Sequence, residues 1–382
     1  MCSSGLVDLL INGGYILNTK NFSTFLIVTL TLLAVSTSLF FLTTSYGSEK
    51  NESVYQKINK EDRITYLVIG DSIGRGSGAE TPDKRWFSLL ETKMKQHHGV
   101  HMKGTYLVQS GATALEGLYK LQNEKTLDQV QLIFIVFGEN DRKYMTERDF
   151  GILYESLIRQ SKAKYPAAEI ITITESSLTF NNFAEKIKTI SSHYKASNAD
   201  MRPVFENSGK TIKELTRDQI HPNGAGYSLY ADTLYQLIEK NRKSGKTIAQ
   251  LETPINPESE DLLLHQNRNI TSEKGFYYKN GFQTSNKAGS SVEYQFNGNL
   301  IGVKLLRGPD GGFVDVYIDG KFTAKMNTWW PFYRERIQYI KNGLAEGSHT
   351  IRFEVTGEKA ASNQTDSAYF RVSSLLTGNF VN

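Results

Sequence analysis

Ser72 stands in Gly70-Asp71-Ser72-Ile73-Gly74, directly after the apolar run 64–70 (ITYLVIG). A serine at the carboxyl end of a parallel strand is lifted into the crevice where such sheets bind ligands, and that position suits a nucleophile. Three readings of the segment compete. The glycines could cradle a phosphate, but the Gly-Lys-Ser/Thr of a P-loop is missing. Gly74-x-Gly76-x-Gly78 also lacks a third dinucleotide-binding glycine at its proper spacing. Gly70-x-Ser72-x-Gly74 fits a nucleophile elbow, yet that fold places several strands before its elbow. The third reading is a turn whose serine merely caps the next helix.

A second group lies far along the chain, in Arg217-Asp218-Gln219-Ile220-His221-Pro222. An aspartate three residues before a histidine, on a short loop entering a helix, can turn its carboxylate onto Nδ1. That fixes the tautomer and leaves Nε2 free as a general base. The bland alternative is a carboxylate capping its own turn beside a packed histidine. His193 and the run His97, His98, His101 read as surface. Two loops offer donors for an oxyanion: Gly138-Glu139-Asn140-Asp141 after the run 131–137 (QLIFIVF), and Ser110-Gly111 after 104–108. A single such donor carries ~3 kcal/mol of transition-state stabilisation.

Together the four blocks resemble the SGNH (GDSL-type) hydrolase family. Gly-Asp-Ser follows the first strand, a glycine the second, Gly-x-Asn-Asp the third, and Asp-x-x-His precedes the last helix; Ile73 replaces the family's leucine. The resemblance implies Ser72 as nucleophile, His221 as general base and Asp218 as its orienting partner. It further implies an oxyanion hole from the N–H groups of Ser72, Gly111 and Asn140, no metal or organic cofactor, and a flavodoxin-like three-layer α/β/α fold.

The elements that must position these residues are legible in the same stretch. Runs 64–70, 104–108, 131–137 and 170–174 are continuous enough to be strands buried on both faces. Between them lie amphipathic helical patterns, one with Phe150, Leu153, Leu157 and Ile158 on one face, another over 223–240 with Tyr227, Tyr230, Leu234 and Ile238 aligned. Alternating strand and helix predicts a parallel sheet with helices on both sides, spanning residues 63–240. Residues 241–262 are polar, hold Pro254 and Pro257, and read as a linker. Over 263–382 the period changes to two: 291–296, 300–306, 313–319, 332–340 and 349–355 are short alternating runs with Asn297-Gly298, Asp319-Gly320 and Asn342-Gly343 turns. These predict an antiparallel β-sandwich, and the segment loosely resembles jelly-roll accessory domains of carbohydrate esterases. Trp329, Trp330 and Tyr333 form an aromatic cluster there, either a sugar-stacking platform or packing between domains.

Residues 25–42 (FLIVTLTLLAVSTSLFFL) carry no charge, and at ~1.5 Å per residue nearly cross a ~30 Å hydrocarbon core. They predict a transmembrane anchor over 25–46, with 1–24 as a short cytoplasmic segment and the remainder outside; a cleaved signal peptide is the rival reading. Composition excludes other classes. With 44 basic and 40 acidic residues interspersed, the net charge of +4 gives no nucleic-acid-binding surface. The single cysteine, Cys2, excludes an intrachain disulfide. The expected function is a surface-anchored esterase removing O-acyl groups, O-acetyl foremost, from extracellular or cell-wall polysaccharide. An O-acetyltransferase using the same triad is the alternative, and it would need a membrane acyl-donor partner. A lipase for long acyl chains and a non-catalytic glycan-binding protein complete the alternatives.

Overall fold

In the computed structural model, residues 52–127 and 129–379 are described. The expected membrane anchor at 25–46 lies outside them; among the described residues no helix is long and apolar enough to cross a membrane.

The apolar runs of the first half become five parallel strands: β1 (Ile64–Gly70), β2 (Met102–Val108), β3 (Leu132–Val136), β4 (Glu169–Thr174) and β5 (Ser197–Asp200), in the order β2-β1-β3-β4-β5. Helices are α1 (Val54–Asn59), α2 (Trp86–His98), α3 (Ala114–Asn123), α4 (Glu147–Lys164), α5 (Asn181–His193), α6 (Met201–Glu206), α7 (Ile212–Leu215) and α8 (Gly224–Lys243). Successive strand residues point to opposite faces, so each face of the sheet has its own core. Leu67, Ile69, Ile133 and Ile135 meet α3, α4 and α5 on one side. Val68, Leu132, Phe134 and Val136 meet α1, α2, α6, α7 and α8 on the other. Because both faces are covered, the strands show no polar alternation, and this is the three-layer α/β/α arrangement expected. The fifth strand, SNAD, is short and polar and carries no pattern that marks it in the sequence.

The second half is antiparallel. Its strands are β6 (Leu263–Asn267), β7 (Ile270–Lys274), β8 (Tyr277–Lys279), β9 (Phe282–Ser285), β10 (Ser291–Asn297), β11 (Leu300–Arg307), β12 (Gly312–Ile318), β13 (Lys321–Asn327), β14 (Arg334–Lys341), β15 (Ser348–Lys359) and β16 (Phe370–Asn379). One sheet runs β13-β12-β15-β10-β7 and the other β14-β11-β16-β9-β8, with β6 on β16. Val314, Val316 and Ile318 of β12 face Ile351, Phe353 and Val355 in a shared interior with Val303, Leu305, Phe370 and Val372. The edge strand β13 is largely exposed, which is why its sequence lacks a clear period.

Residues that follow α8 bind down onto α4. The Glu155 carboxylate accepts from the Ile255 N–H (2.6 Å), the Asn256 N–H (3.0 Å), the Asn256 side chain (2.6 Å) and the Tyr194 hydroxyl (2.7 Å). The Arg159 guanidinium donates to the Glu252 carbonyl at 2.7 Å. Leu262, Leu264, Leu300, Ile337, Tyr339 and Leu376 then share one apolar cluster with Leu115, Leu118 and Leu121 of α3. A buried ion pair, Arg336 Nε to Glu116 Oε2 at 3.2 Å, crosses the same seam. The α/β layers and the sandwich therefore form a single compact unit from Glu52 onward.

Candidate active site

The site lies beyond the carboxyl ends of the parallel strands. β1 pairs with β2 and β3 up to Gly70, and the chain then turns sharply. The Asp71 carboxylate ties the turn, accepting from Ile73 N–H at 2.8 Å, and Trp86 Nε1 donates to the Ile73 carbonyl at 3.0 Å from below. Ser72 is buried to 6% exposure at the crest.

His221 reaches it from the far end of the domain. The loop 216–222 closes on itself: Arg217 N–H donates to the His221 carbonyl (2.8 Å) and Asn223 N–H to the Leu215 carbonyl (2.9 Å). Asn223 caps α8 by accepting from Gly226 N–H. Within this loop Asp218 Oδ1 accepts from the backbone N–H groups of Ile220 (3.2 Å) and His221 (2.8 Å), while its Oδ2 lies 2.7 Å from His221 Nδ1. His221 Nε2 lies 2.9 Å from Ser72 Oγ. An ionised carboxylate only accepts, so Nδ1 carries the proton and Nε2 accepts from the serine hydroxyl. Partial burial opposes the Asp218 charge, but the hydrogen bonds from His221 outweigh it and hold the carboxyl below its usual range. Asp218 itself is 52% exposed, so the charged end of this relay borders solvent.

The three expected oxyanion donors stand just after three strand ends, those of β1, β2 and β3. The N–H groups of Ser72 and Gly111 make no hydrogen bond among the described residues. Gly111 sits at φ +75° in a turn closed by Ala112 N–H donating to the Gln109 carbonyl. Asn140 Nδ2 donates to Asp71 Oδ2 at 2.7 Å, which fixes the amide beside the nucleophile turn and leaves its second hydrogen free. Asp141, next in the chain, is fully buried; it accepts from Ala114 N–H (2.8 Å) and Gly138 N–H (3.1 Å), so it pins the second and third strand ends together. Burial pushes its carboxyl up to about 7, against those hydrogen bonds.

The aromatic cluster divides. Trp330 packs between the Arg307 and Arg336 guanidinium groups, 5.0 and 5.2 Å from the ring centroid, and its edge abuts Gly111: a Cβ on that glycine would lie 3.1 Å from the indole. Trp329 is half-buried, its carbonyl accepting from Arg307 Nη2 at 2.9 Å. Tyr333 is exposed, with its hydroxyl on Asp310 Oδ2 at 3.0 Å. Of the other histidines, His98 is an exception to a surface reading, for its ring pairs with Glu239 at 2.9 Å. Sequence reasoning assigned no role to Asp71 or to Glu175, which follows β4 and accepts from Glu139 N–H at 2.7 Å. The available signal was a carboxylate placed straight after a wholly buried strand.

Comparison with known proteins agrees with this architecture. Residues 68–229 match the GDSL-like lipase/acylhydrolase family. Over 82 residues the chain is 30% identical to the A type blood N-acetyl-alpha-D-galactosamine deacetylase of Flavonifractor plautii, a match covering 22% of this chain but only 11% of that protein. Over 253 residues it is 25% identical to the uncharacterized protein YpmR of Bacillus subtilis (strain 168), covering 55% of this chain and 97% of that one. Among solved structures, a two-domain esterase active on acetylated mannans has the same fold, with a TM-score of 0.68 at 18% identity over 86% of this chain and 94% of that one.

Proposed function

We propose that this chain, whose residues 68–229 match the GDSL-like lipase/acylhydrolase family, is a serine esterase that removes O-acetyl groups from extracellular or cell-wall polysaccharide. The observation that carries the proposal is the continuous relay Asp218–His221–Ser72, with contacts of 2.7 and 2.9 Å. Ser72 Oγ attacks the ester carbonyl while His221 Nε2 takes its proton; Asp218 steadies the imidazolium that results. The tetrahedral oxyanion rests on the N–H groups of Ser72 and Gly111 and on Asn140. His221 then hands its proton to the departing sugar oxygen, leaving Ser72 acylated. Water, deprotonated by the same histidine, releases acetate and restores the serine.

The polymer substrate is supported by architecture. The sandwich is welded to the catalytic layers and brings Trp330 against Gly111, so the aromatic cluster begins beside an expected oxyanion donor. The esterase that shares this two-part fold acts on acetylated mannans. Trp329, Trp330 and Tyr333 are the aromatic surface we assign to sugar contact, and residues 25–46 the segment we assign to membrane anchoring, with the catalytic part outside.

The test is acetate release from an O-acetylated cell-wall polysaccharide by the 382-residue chain and by its Ser72→Ala variant, with and without an unacetylated acceptor glycan. Release by the parent alone, indifferent to acceptor, is the expected result. Transfer to the acceptor in preference to water would make the enzyme an O-acetyltransferase. Failure on both the polysaccharide and a simple aryl acetate would overturn the serine-esterase assignment.

A further inference from the structure

Behind the nucleophile lies a pair of carboxyl groups that the mechanism above does not use. Asp71 and Glu175 are both wholly buried and interact electrostatically, each bonded to one of two neighbouring residues after β3: Asp71 Oδ2 to the Asn140 amide and Glu175 Oε2 to the Glu139 N–H. Two ionised carboxylates only accept and repel each other, so a hydrogen bond between them requires a proton on one of them. The surroundings decide which. Asp71 already receives Ile73 N–H (2.8 Å), Gly74 N–H (3.5 Å) and Asn140 Nδ2 (2.7 Å), all of which favour its anion. Glu175 receives one N–H, from Glu139, on Oε2; no group of the described fold donates to Oε1.

We propose that Glu175 is a neutral carboxylic acid that donates its proton to the Asp71 carboxylate and thereby positions Asn140 and the Ser72 turn for catalysis. Glu175 is a positioning residue, since it touches neither substrate nor Ser72. Its Oε2 holds the Glu139 N–H, one residue before Asn140, and its acid proton holds the carboxylate onto which the Asn140 amide is bonded. One side chain at the end of β4 thus braces the ends of β1 and β3. An anion at position 175 would face Asp71 across this contact with no cation between them, and both loops would be pushed apart.

The electrostatics agree. Burial raises both carboxyls, and the anionic Asp71 raises Glu175 further, well above the ordinary glutamate range. For Asp71 the rise from burial is countered by the Glu175 hydrogen bond, by the two N–H groups and by His221 across the site. The other titratable groups around Glu175 are Glu139, already paired with Arg142, and the hydroxyls of Tyr154, Tyr227 and Tyr230. Asp141 adds negative charge beside Asp71. None of them supplies a positive charge that would keep Glu175 ionised.

The experiment has a spectroscopic arm that is independent of the esterase reading and a kinetic arm that rests on it. Infrared difference spectra of the full chain minus Glu175→Gln, recorded at pH 8, should show loss of one protonated-carboxyl C=O band. Retention of that band would put the proton on Asp71 and overturn the proposal. In kinetics with an aryl acetate, Glu175→Ala should lower kcat by roughly 100-fold with KM little changed, the size of losing an aligned oxyanion donor. Glu175→Gln keeps an N–H donor for Asp71 and an oxygen for Glu139 N–H, so it should recover at least ~30-fold of that loss. A Gln variant as impaired as the Ala variant, with melting temperature equal to the parent, would show that the charge and not the acid proton matters, and would overturn the proposal. If the parent itself hydrolyses no ester, the esterase reading fails and the infrared result still stands for Glu175.

Discussion

The backbone of Gly78 lies directly against the loop that carries His221. A Cβ at position 78 would fall 2.9 Å from His221 Cβ and 2.5 Å from the Pro222 carbonyl oxygen, and φ there is +101°. The nucleophile turn and the histidine loop, far apart in the chain, therefore meet backbone to backbone. Their close approach sets the 2.9 Å reach of Nε2 to Ser72. Gly78→Ala adds both a steric clash and a left-handed backbone penalty of ~1–2 kcal/mol. Displacing His221 by ~1 Å should cost kcat about 100-fold. Steady-state kinetics and a thermal melt check the two parts separately.

Relay residues act as a unit, so their losses should not add. Ser72→Ala and His221→Ala should each lower kcat by roughly 10⁴–10⁶-fold, and the double variant should be no worse than either single one. Asp218→Ala should cost less than either, because its carboxylate is half exposed and water can replace part of its stabilisation. Turnover of an aryl acetate by the four variants measures this directly.

Trp330 separates two roles by assay. If its work is to hold Gly111, Trp330→Ala should lower kcat on a small aryl acetate, since the Gly111 N–H loses its support. If its work is sugar stacking alone, the aryl acetate should be turned over normally and only KM for polysaccharide should rise. From its contacts we expect both effects, with a kcat loss of about 10-fold on the small ester, below the ~100-fold of a whole donor.

The seam between sandwich and helices holds a buried charge pair, Arg336 with Glu116, each side chain 4% exposed. Removing Glu116 strands the buried Arg336 and should cost ~3–5 kcal/mol, whereas removing Arg336 should cost less, because Glu116 keeps Lys120 Nζ at 3.2 Å. Arg336→Met and Glu116→Gln should each lower the melting temperature, and the double variant should melt above the worse of the two. Calorimetry or thermal fluorescence is sufficient.

Stability should fall as pH rises through the mildly acidic range. Asp141 loses its proton near 3.8 when unfolded but holds it to about 7 when folded, because it is buried. Between those values the folded state binds more protons than the unfolded state, so each step up in pH favours unfolding, and the effect levels off above about 7. Asp218 has the opposite sign: its carboxyl is held low, so its contribution is present above the unfolded carboxylate range and is lost as pH falls through the lower folded value. It is half exposed and solvent-screened, so Asp141 should dominate. Melting temperatures at pH 5 and pH 8 should differ in favour of pH 5, and Asp141→Asn should shrink that difference.

Much of the fold was legible because it rests on short-range patterns. Runs such as ITYLVIG and QLIFIVF could only be strands covered on both faces, and VDVYID only a strand covered on one. Strands without such patterns escaped: β5 is four residues, Ser-Asn-Ala-Asp, at a sheet edge, and β13 is mostly exposed. β5 is too short, with Ala199 its sole apolar residue, and β13 has no buried face, so neither carries an apolar period.

The site divides along the same line. Types and order alone marked Ser72, Gly111, Asn140, Asp218 and His221, because each stands at a strand end or helix entrance where a turn requires particular residues. The Asp218–His221 contact is local, three positions apart, and so could be argued from spacing. Tertiary structure alone decided that Glu175 meets Asp71, that Trp330 leans on Gly111, and that Gly78 yields room to His221. Those contacts join elements far apart in the chain. Their distances follow from how two cores pack on the two faces of one sheet, and close packing of that kind leaves no period in the sequence.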